Sequence, residues 1–185
     1  MKKSTKNKKE TALSVLKEIR DLLKVNKPIE FVSIPENMST NTVTFPEKTA
    51  KEIIQECDNK VGGGKLIYST WMENEDFYTK EKCRPRTVKI PTEIEMAGKS
   101  WNQCNEASAE SEMFNFSEIV YMLRESESFR KLLSLNNSVC YTWTNSRDSG
   151  GCLVDVGAFG ADGAYLGRWR PRLSDSFMGV CFSRS

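Results

Sequence analysis

The sequence predicts an α+β domain with helices in its first three quarters and strands at its end. Before residue 134, apolar residues recur at helical spacing in several segments. Past residue 140 they come in short runs separated by Gly, Ser, Asn and Asp, which suits strands joined by turns. Composition changes at the same place. Lys ends at Lys131, Glu at Glu127 and Ile at Ile119, and seven of the eleven glycines lie between Gly150 and Gly179. Cationic charge in this last quarter is carried by Arg147, Arg168, Arg170, Arg172 and Arg184 alone. Aromatic, Asp, Arg and small side chains are the materials of a recognition surface. The plainer reading is an antiparallel sheet with polar loops.

Residues 1–9 are Lys-rich without periodicity and read as a disordered tail. Ala12, Leu16, Ile19 and Leu23, widened by Leu13 and Leu22, predict an amphipathic helix over 11–24. It serves either oligomerisation or docking on its own domain. Pro28 ends it. Residues 29–34 alternate as a strand, and 42–45 as a second. Pro46 opens a helix through Cys57, with Ala50, Ile53, Ile54 and Cys57 on one face, the cysteine serving as a small hydrophobe. Gly62, Gly63, Gly64 and Lys65 lack the spacing, the following Ser/Thr and the preceding apolar strand of a phosphate loop, so they read as a flexible turn. A strand over 66–71 follows, then a charged, loop-like stretch over 73–85. Residues 86–95 read as extended, interrupted at Pro91.

Ser100 can cap a helix carrying Trp101, Cys104 and Ala107 on one face. Asn115 with Glu118 has the form of a capping box for a helix bearing Ile119, Val120, Met122 and Leu123. Ser126 restarts it, with Phe129, Leu132 and Leu133 buried. Strands are expected over 140–144, 152–158, 164–169 and 178–183. Gly-rich links at 149–151 and 160–163 suit hairpins, and 170–172 forms the third link.

A net charge of +2 does not by itself imply nucleic acid or an anionic membrane, and Asp148, Asp155, Asp162 and Asp175 offset the C-terminal arginines. Nucleic acid is therefore not the expected partner. No apolar run has the length of a membrane span. The basic N-terminus is followed by an amphipathic segment and not by a signal-type apolar stretch, so a cytoplasmic protein is expected, with virion or cell surface reached by another route. The chain has no histidine, which removes His-based acid–base chemistry and His metal ligands. Of its six cysteines (Cys57, Cys83, Cys104, Cys140, Cys152 and Cys181) none form a CxxC pair. Their even number allows disulfides, while the missing signal favours thiols. No metal, no cofactor and no enzymatic activity are expected. A thiol enzyme using Cys152 beside Gly151 would need Lys or a carboxylate as its base.

The order of a strand, a helix with Trp and Cys, a longer helix and then short strands ending in a Cys-bearing strand resembles the C-type lectin fold. KSWNQCNEASAE looks like its first helix and GVCFSRS like its closing strand. More narrowly, Trp143-Thr144, the Gly/Asp/Tyr/Arg-rich middle with Arg168-Trp169, and the terminal Gly179-Val180-Cys181-Phe182-Ser183-Arg184 resemble the variable (target) proteins of diversity-generating retroelements. The resemblance covers about residues 101–185 as a fold and 141–185 as motifs. It implies a lectin-like domain over 28–185, two helices packed on short, mostly antiparallel strands, with 1–27 as an N-terminal appendage. It also implies that Cys104 and Cys181 are neighbours, bonded or not, with Cys140 and Cys152 as a candidate second pair across a hairpin. The calcium and sugar signatures of carbohydrate-binding members are absent, as is the close cysteine pair of formylglycine-generating enzymes.

The function this implies is recognition of a protein or surface ligand through 141–185, on a surface diversified by a retroelement. Expected contacts are Tyr141, Asn145, Asp148, Asp155, Phe159, Asp162, Tyr165, Arg168, Arg170 and Arg172, from their rigid rings, planar guanidinium groups and directional hydrogen-bonders. Trp143, Trp169, Val180 and Phe182 are expected to be scaffold. The alternative is a phage or cell-surface assembly protein without programmed diversity, forming homo-oligomers through 11–24.

Overall fold

A computed structural model describes residues 41–108 and 111–184. The helix expected over 11–24, with any homo-oligomer built on it, and the strand over 29–34 lie outside the described residues. Those residues form a mixed α+β fold.

Strand β1 (Thr42–Thr44) pairs antiparallel with β4 (Thr87–Lys89). Helix α1 (Ala50–Glu56) begins four residues later than expected because Thr49, not Pro46, provides its start. The Thr49 hydroxyl accepts the Glu52 N–H at 3.2 Å, and the Glu52 carboxylate accepts the Thr49 N–H at 2.8 Å. Ala50, Ile53 and Ile54 are buried, while Cys57 is half-buried at the helix end. The hairpin of β2 (Lys60–Val61) and β3 (Gly64–Lys65) turns on Gly62 and Gly63, both at positive φ.

Two sequence expectations fail in the next stretch. Residues 66–71 are not a strand. The Asn59 side chain donates to the Ile67 carbonyl at 2.9 Å and accepts the Ile67 N–H at 2.8 Å, so a side chain satisfies the backbone of Ile67 itself. Only an isolated bridge from Ile67 to Ala164 remains. The supposed loop over 73–85 holds the single turn α2 (Asp76–Thr79), which buries Phe77 and Tyr78. Its apolar pair is hidden in sequence by the surrounding charge.

The expected caps are present. Helix α3 (Trp101–Ala107) starts at Ser100 with a full capping box to Gln103. Its buried face is narrower than expected: Cys104 is buried and Ala107 is exposed. After β5 (Glu112–Met113), α4 (Phe116–Glu125) begins at Asn115. Ser126 closes α4 and caps α5 (Glu127–Leu132), accepting the Phe129 N–H at 3.1 Å.

Glu118 on the first turn of α4 is fully buried and central to the core's polar wiring. Its Oε2 accepts the Asn115 N–H at 3.0 Å and an Arg84 guanidinium N–H at 2.8 Å. Its Oε1 accepts Arg84 Nε at 2.9 Å and the Arg84 backbone N–H at 3.2 Å. One carboxylate thus joins a helix start to the segment that leads into β4.

Strands β6 (Tyr141–Arg147), β7 (Leu153–Gly160), β8 (Gly163–Trp169) and β9 (Met178–Val180) form a sheet in the order β8-β7-β6-β9. The β6/β7 and β7/β8 pairs are antiparallel hairpins, and β9 lies parallel to β6. The final strand β10 (Phe182–Ser183) leaves this sheet to pair with β5. Side chains alternate across the sheet. Val154 and Val156 face the larger core, with Phe116, Ile119, Val120 and Leu123 of α4. Trp143, Leu153, Met178 and Val180 face the other way, where Cys104 of α3 and Met113 join them. Gly157 allows β6 and β7 to approach, since a Cβ there would stand 2.0 Å from the Cys140 carbonyl oxygen.

All six cysteines are free. The pairings implied by the lectin resemblance are not formed. Cys104 and Cys181 belong to separate apolar clusters on the sheet's two sides. Cys140 sits beside Ala158, whose N–H its carbonyl accepts at 2.9 Å, whereas Cys152 lies beside the turn at the hairpin's other end.

Candidate functional site

The second sheet face is only partly covered by α3. Beside that cover it carries a pocket of about 510 Å³, within the size range of small-ligand sites. Register decides who lines it. Tyr141 of β6 stands opposite Gly157, which stands opposite Tyr165 of β8. Trp143 stands opposite Asp155, which stands opposite Gly167, and Leu153 opposite Trp169. Tyr141, Asp155, Tyr165, Gly167 and Trp169 therefore share one face and border the pocket, while Trp143, Leu153 and Gly157 of these rows do not line it. Phe177 completes the wall from the loop before β9. Its carbonyl is fixed by the N–H groups of Cys140 and Tyr141 at 3.1 and 3.2 Å, and its ring centroid lies 5.5 Å from that of Tyr141. Tyr165 is backed by the exposed Tyr68, with ring centroids 4.6 Å apart.

Asp155 is the unusual member. It was expected to be exposed, yet it is 1% exposed and its Oδ1 has no hydrogen-bond partner. The carboxyl lies over Gly167, where a Cβ would stand 2.4 Å from Oδ1. Burial pushes the Asp155 carboxyl up to about 7. The Tyr141 hydroxyl is raised too, first by its own burial and then by the negative charge on Asp155.

The other expected contacts disperse. Asp148 is buried because it builds its own hairpin turn, with Oδ1 accepting the Cys152 N–H at 2.8 Å. Arg168 stands opposite Val154 and so projects from the sheet face opposite Tyr165; its guanidinium lies 5.4 Å from the Trp71 ring centroid and 3.8 Å from Asp148. Phe159 is half-buried and packs on the main core, its N–H bonded to the Leu133 carbonyl at 2.7 Å. Asn145 is exposed where β6 loses register with β7. Asp162, Arg170 and Arg172 are exposed in the turns after β7 and β8. Trp143, Val180 and Phe182 are buried, whereas Trp169 is half-buried and lines the pocket. Phe177 was not singled out from sequence. Strict alternation from Tyr165 through Gly167 would have placed Trp169 beside the pocket and Arg168 away from it.

Among the described residues, no group of three or more His, Cys, Asp or Glu is placed to hold a metal ion, and no helix is long and apolar enough to cross a membrane. Burial pushes the Cys83 and Cys181 thiols up to about 12 and Cys104 to about 11, away from nucleophilic thiolates. No protein-family model, curated protein or solved structure matches the chain.

Proposed function

We propose that this is a ligand-binding protein that recognises its target through the C-terminal sheet and its connecting loops. The observation that carries this reading is the open pocket on a sheet whose other face packs Val154 and Val156 into the main core. Tyr141, Tyr165, Trp169 and Phe177 present aromatic area there around a buried acid, and Asp162, Arg170 and Arg172 are exposed on adjoining turns of the same strands. Rigid rings on strands with polar, charged loops form a surface suited to recognition at low entropic cost.

The finer proposal keeps the resemblance: a C-type lectin-like scaffold whose residues 141–185 are diversified by a retroelement, acting as a receptor-recognition protein. The division between a buried centre and an exposed periphery supports it. The central strand β7 is buried from Leu153 to Ala158, whereas Asn145, Asp162, Arg168, Arg170 and Arg172 are exposed on the flanking strands and turns, and exposed positions accept substitution with stability changes usually within about 0.5 kcal/mol. The neighbouring DNA tests it. A near-copy of the codons for 141–185, differing mainly at template adenines and lying beside a reverse transcriptase gene, is the expected result. A complete genome without such a copy overturns programmed diversity.

A further inference from the structure

We propose that the pocket takes an organic cation, an alkylammonium or guanidinium head paired with Asp155 and flanked by the rings of Tyr141, Tyr165 and Trp169. This deepens the ligand-binding reading and rests on it.

Four observations converge. First, Asp155 is 1% exposed and lines the pocket with an unpartnered Oδ1. Carboxylates are almost never buried unless something pairs with them, because an unpaired buried charge costs several kcal/mol. Second, the described residues that line the pocket include no Lys or Arg. Arg168, one residue past the pocket-lining Gly167, is on the sheet's other face and engaged with Trp71 and Asp148. The counter-charge is thus left for a ligand to bring. Third, the walls are aromatic. Trp and Tyr faces attract a cation within about 6 Å of the ring, most strongly once water is excluded. Fourth, Gly167 has no side chain to displace the carboxyl, which occupies the place a Cβ there would need, 2.4 Å from Oδ1. An anion would meet the acid unfavourably. A neutral hydroxyl could satisfy Oδ1 but would leave the acid's charge uncompensated and gain less from the aromatic walls than a cation does.

The pairing makes affinity depend on pH. The titratable groups facing Asp155 are Tyr141 from β6, Tyr165 from β8 and the Cys140 thiol just before β6, with no basic group among the described lining residues. The Tyr141 hydroxyl and Cys140 thiol are both held above their ordinary values by burial, so neither ionises in the acid range. Asp155, raised to about 7, does. A cation prefers the ionised acid, so binding should weaken as pH falls through this value.

The test uses the full chain, with NMR shifts of the Trp169 indole and calorimetry as readouts. The probes are choline, its uncharged isostere 3,3-dimethylbutanol, butylamine and butylguanidine, at pH 8 and pH 5.5. At least one cation should move the Trp169 signal, with 3,3-dimethylbutanol at least about tenfold weaker than choline. Cation affinity should fall about tenfold or more at pH 5.5. Asp155→Asn should erase both the charge preference and the pH dependence while retaining the native circular dichroism spectrum. Blocked lysine and arginine peptides then separate the sources: tighter binding than the free amines indicates a protein side chain, and equal binding a small molecule. If 3,3-dimethylbutanol binds as well as choline, or if no probe moves the Trp169 signal, the cation proposal is overturned. The wider ligand-binding reading would stand or fall separately, on the outward face being dispensable for folding.

Discussion

Replacing Glu118 with Ala should lower stability by about 3–5 kcal/mol, as much as truncating a large core side chain. Three consequences combine. The capping box of α4 loses the oxygen that accepts the Asn115 N–H, at about 1 kcal/mol for a cap. The backbone N–H of Arg84 loses its acceptor, at about 1–3 kcal/mol for an unsatisfied buried donor. The Arg84 guanidinium loses a two-point partner at 2.8 and 2.9 Å. Arg84 is partly exposed and can rehydrate, which keeps the total below that of a fully buried charge left alone. Glu118→Gln should lose less, because its carbonyl oxygen can serve one of these donors. Urea unfolding should show both as lower midpoints at unchanged slope. A loss under about 1 kcal/mol for Glu118→Ala would mean that this hub does not hold α4 to the segment before β4.

Replacing Asp155 with Asn should instead stabilise the ligand-free protein at pH 8, by about 2–3 kcal/mol. The folded-state acid is raised from 3.8 to about 7 by burial. A raised carboxyl costs nothing below its unfolded value, where both states hold the proton. The cost grows as pH climbs from about 4 to about 7, because the unfolded chain ionises first, and it is constant above that range. The shift corresponds to about 4 kcal/mol, and an imperfectly paired amide returns part of it. At pH 4.5 the gain should shrink sharply. All other titrating groups are common to both proteins, so the difference between their urea midpoints isolates Asp155. Equal midpoints at both pH values would show that this acid is solvated in the folded protein. A site that gives up stability in the free state is what a group held ready for a ligand looks like.

How much of this could be read from sequence depends on range. Helix starts were legible because they are local: Ser100, Asn115 and Ser126 each carry a cap and its partner within three residues. The four C-terminal strands were legible because Gly-rich links punctuate short apolar runs. The stretch over 66–71 misled because its strand-like composition is satisfied by Asn59, a partner that only the folded hairpin brings near. Cys104 and Cys181, neighbours by the lectin resemblance, fall in separate clusters because the sheet stands between them. The choice of candidate contacts was blind to the faces of the sheet. Tyr141, Asp155 and Tyr165 meet because the β6-β7-β8 register aligns them, and Arg168 departs because it is one residue out of phase. Burial of Asp155 and the turn-building role of Asp148 had no sequence signal, since an Asp on a strand or in a turn reads the same whether it faces water or protein.

The most direct measurement compares the two faces of one sheet by truncation. Val154→Ala and Val156→Ala on the inward face should each cost about 2 kcal/mol in urea unfolding, from lost burial and the cavities left behind. Tyr141→Ala and Tyr165→Ala remove far more atoms, yet each should cost less than either valine truncation, because Tyr165 lines the pocket and Tyr141 is only partly buried against the cluster beneath it. If the tyrosine truncations prove as damaging as the valine ones, the outward face is core, and it is not free to serve as a recognition surface.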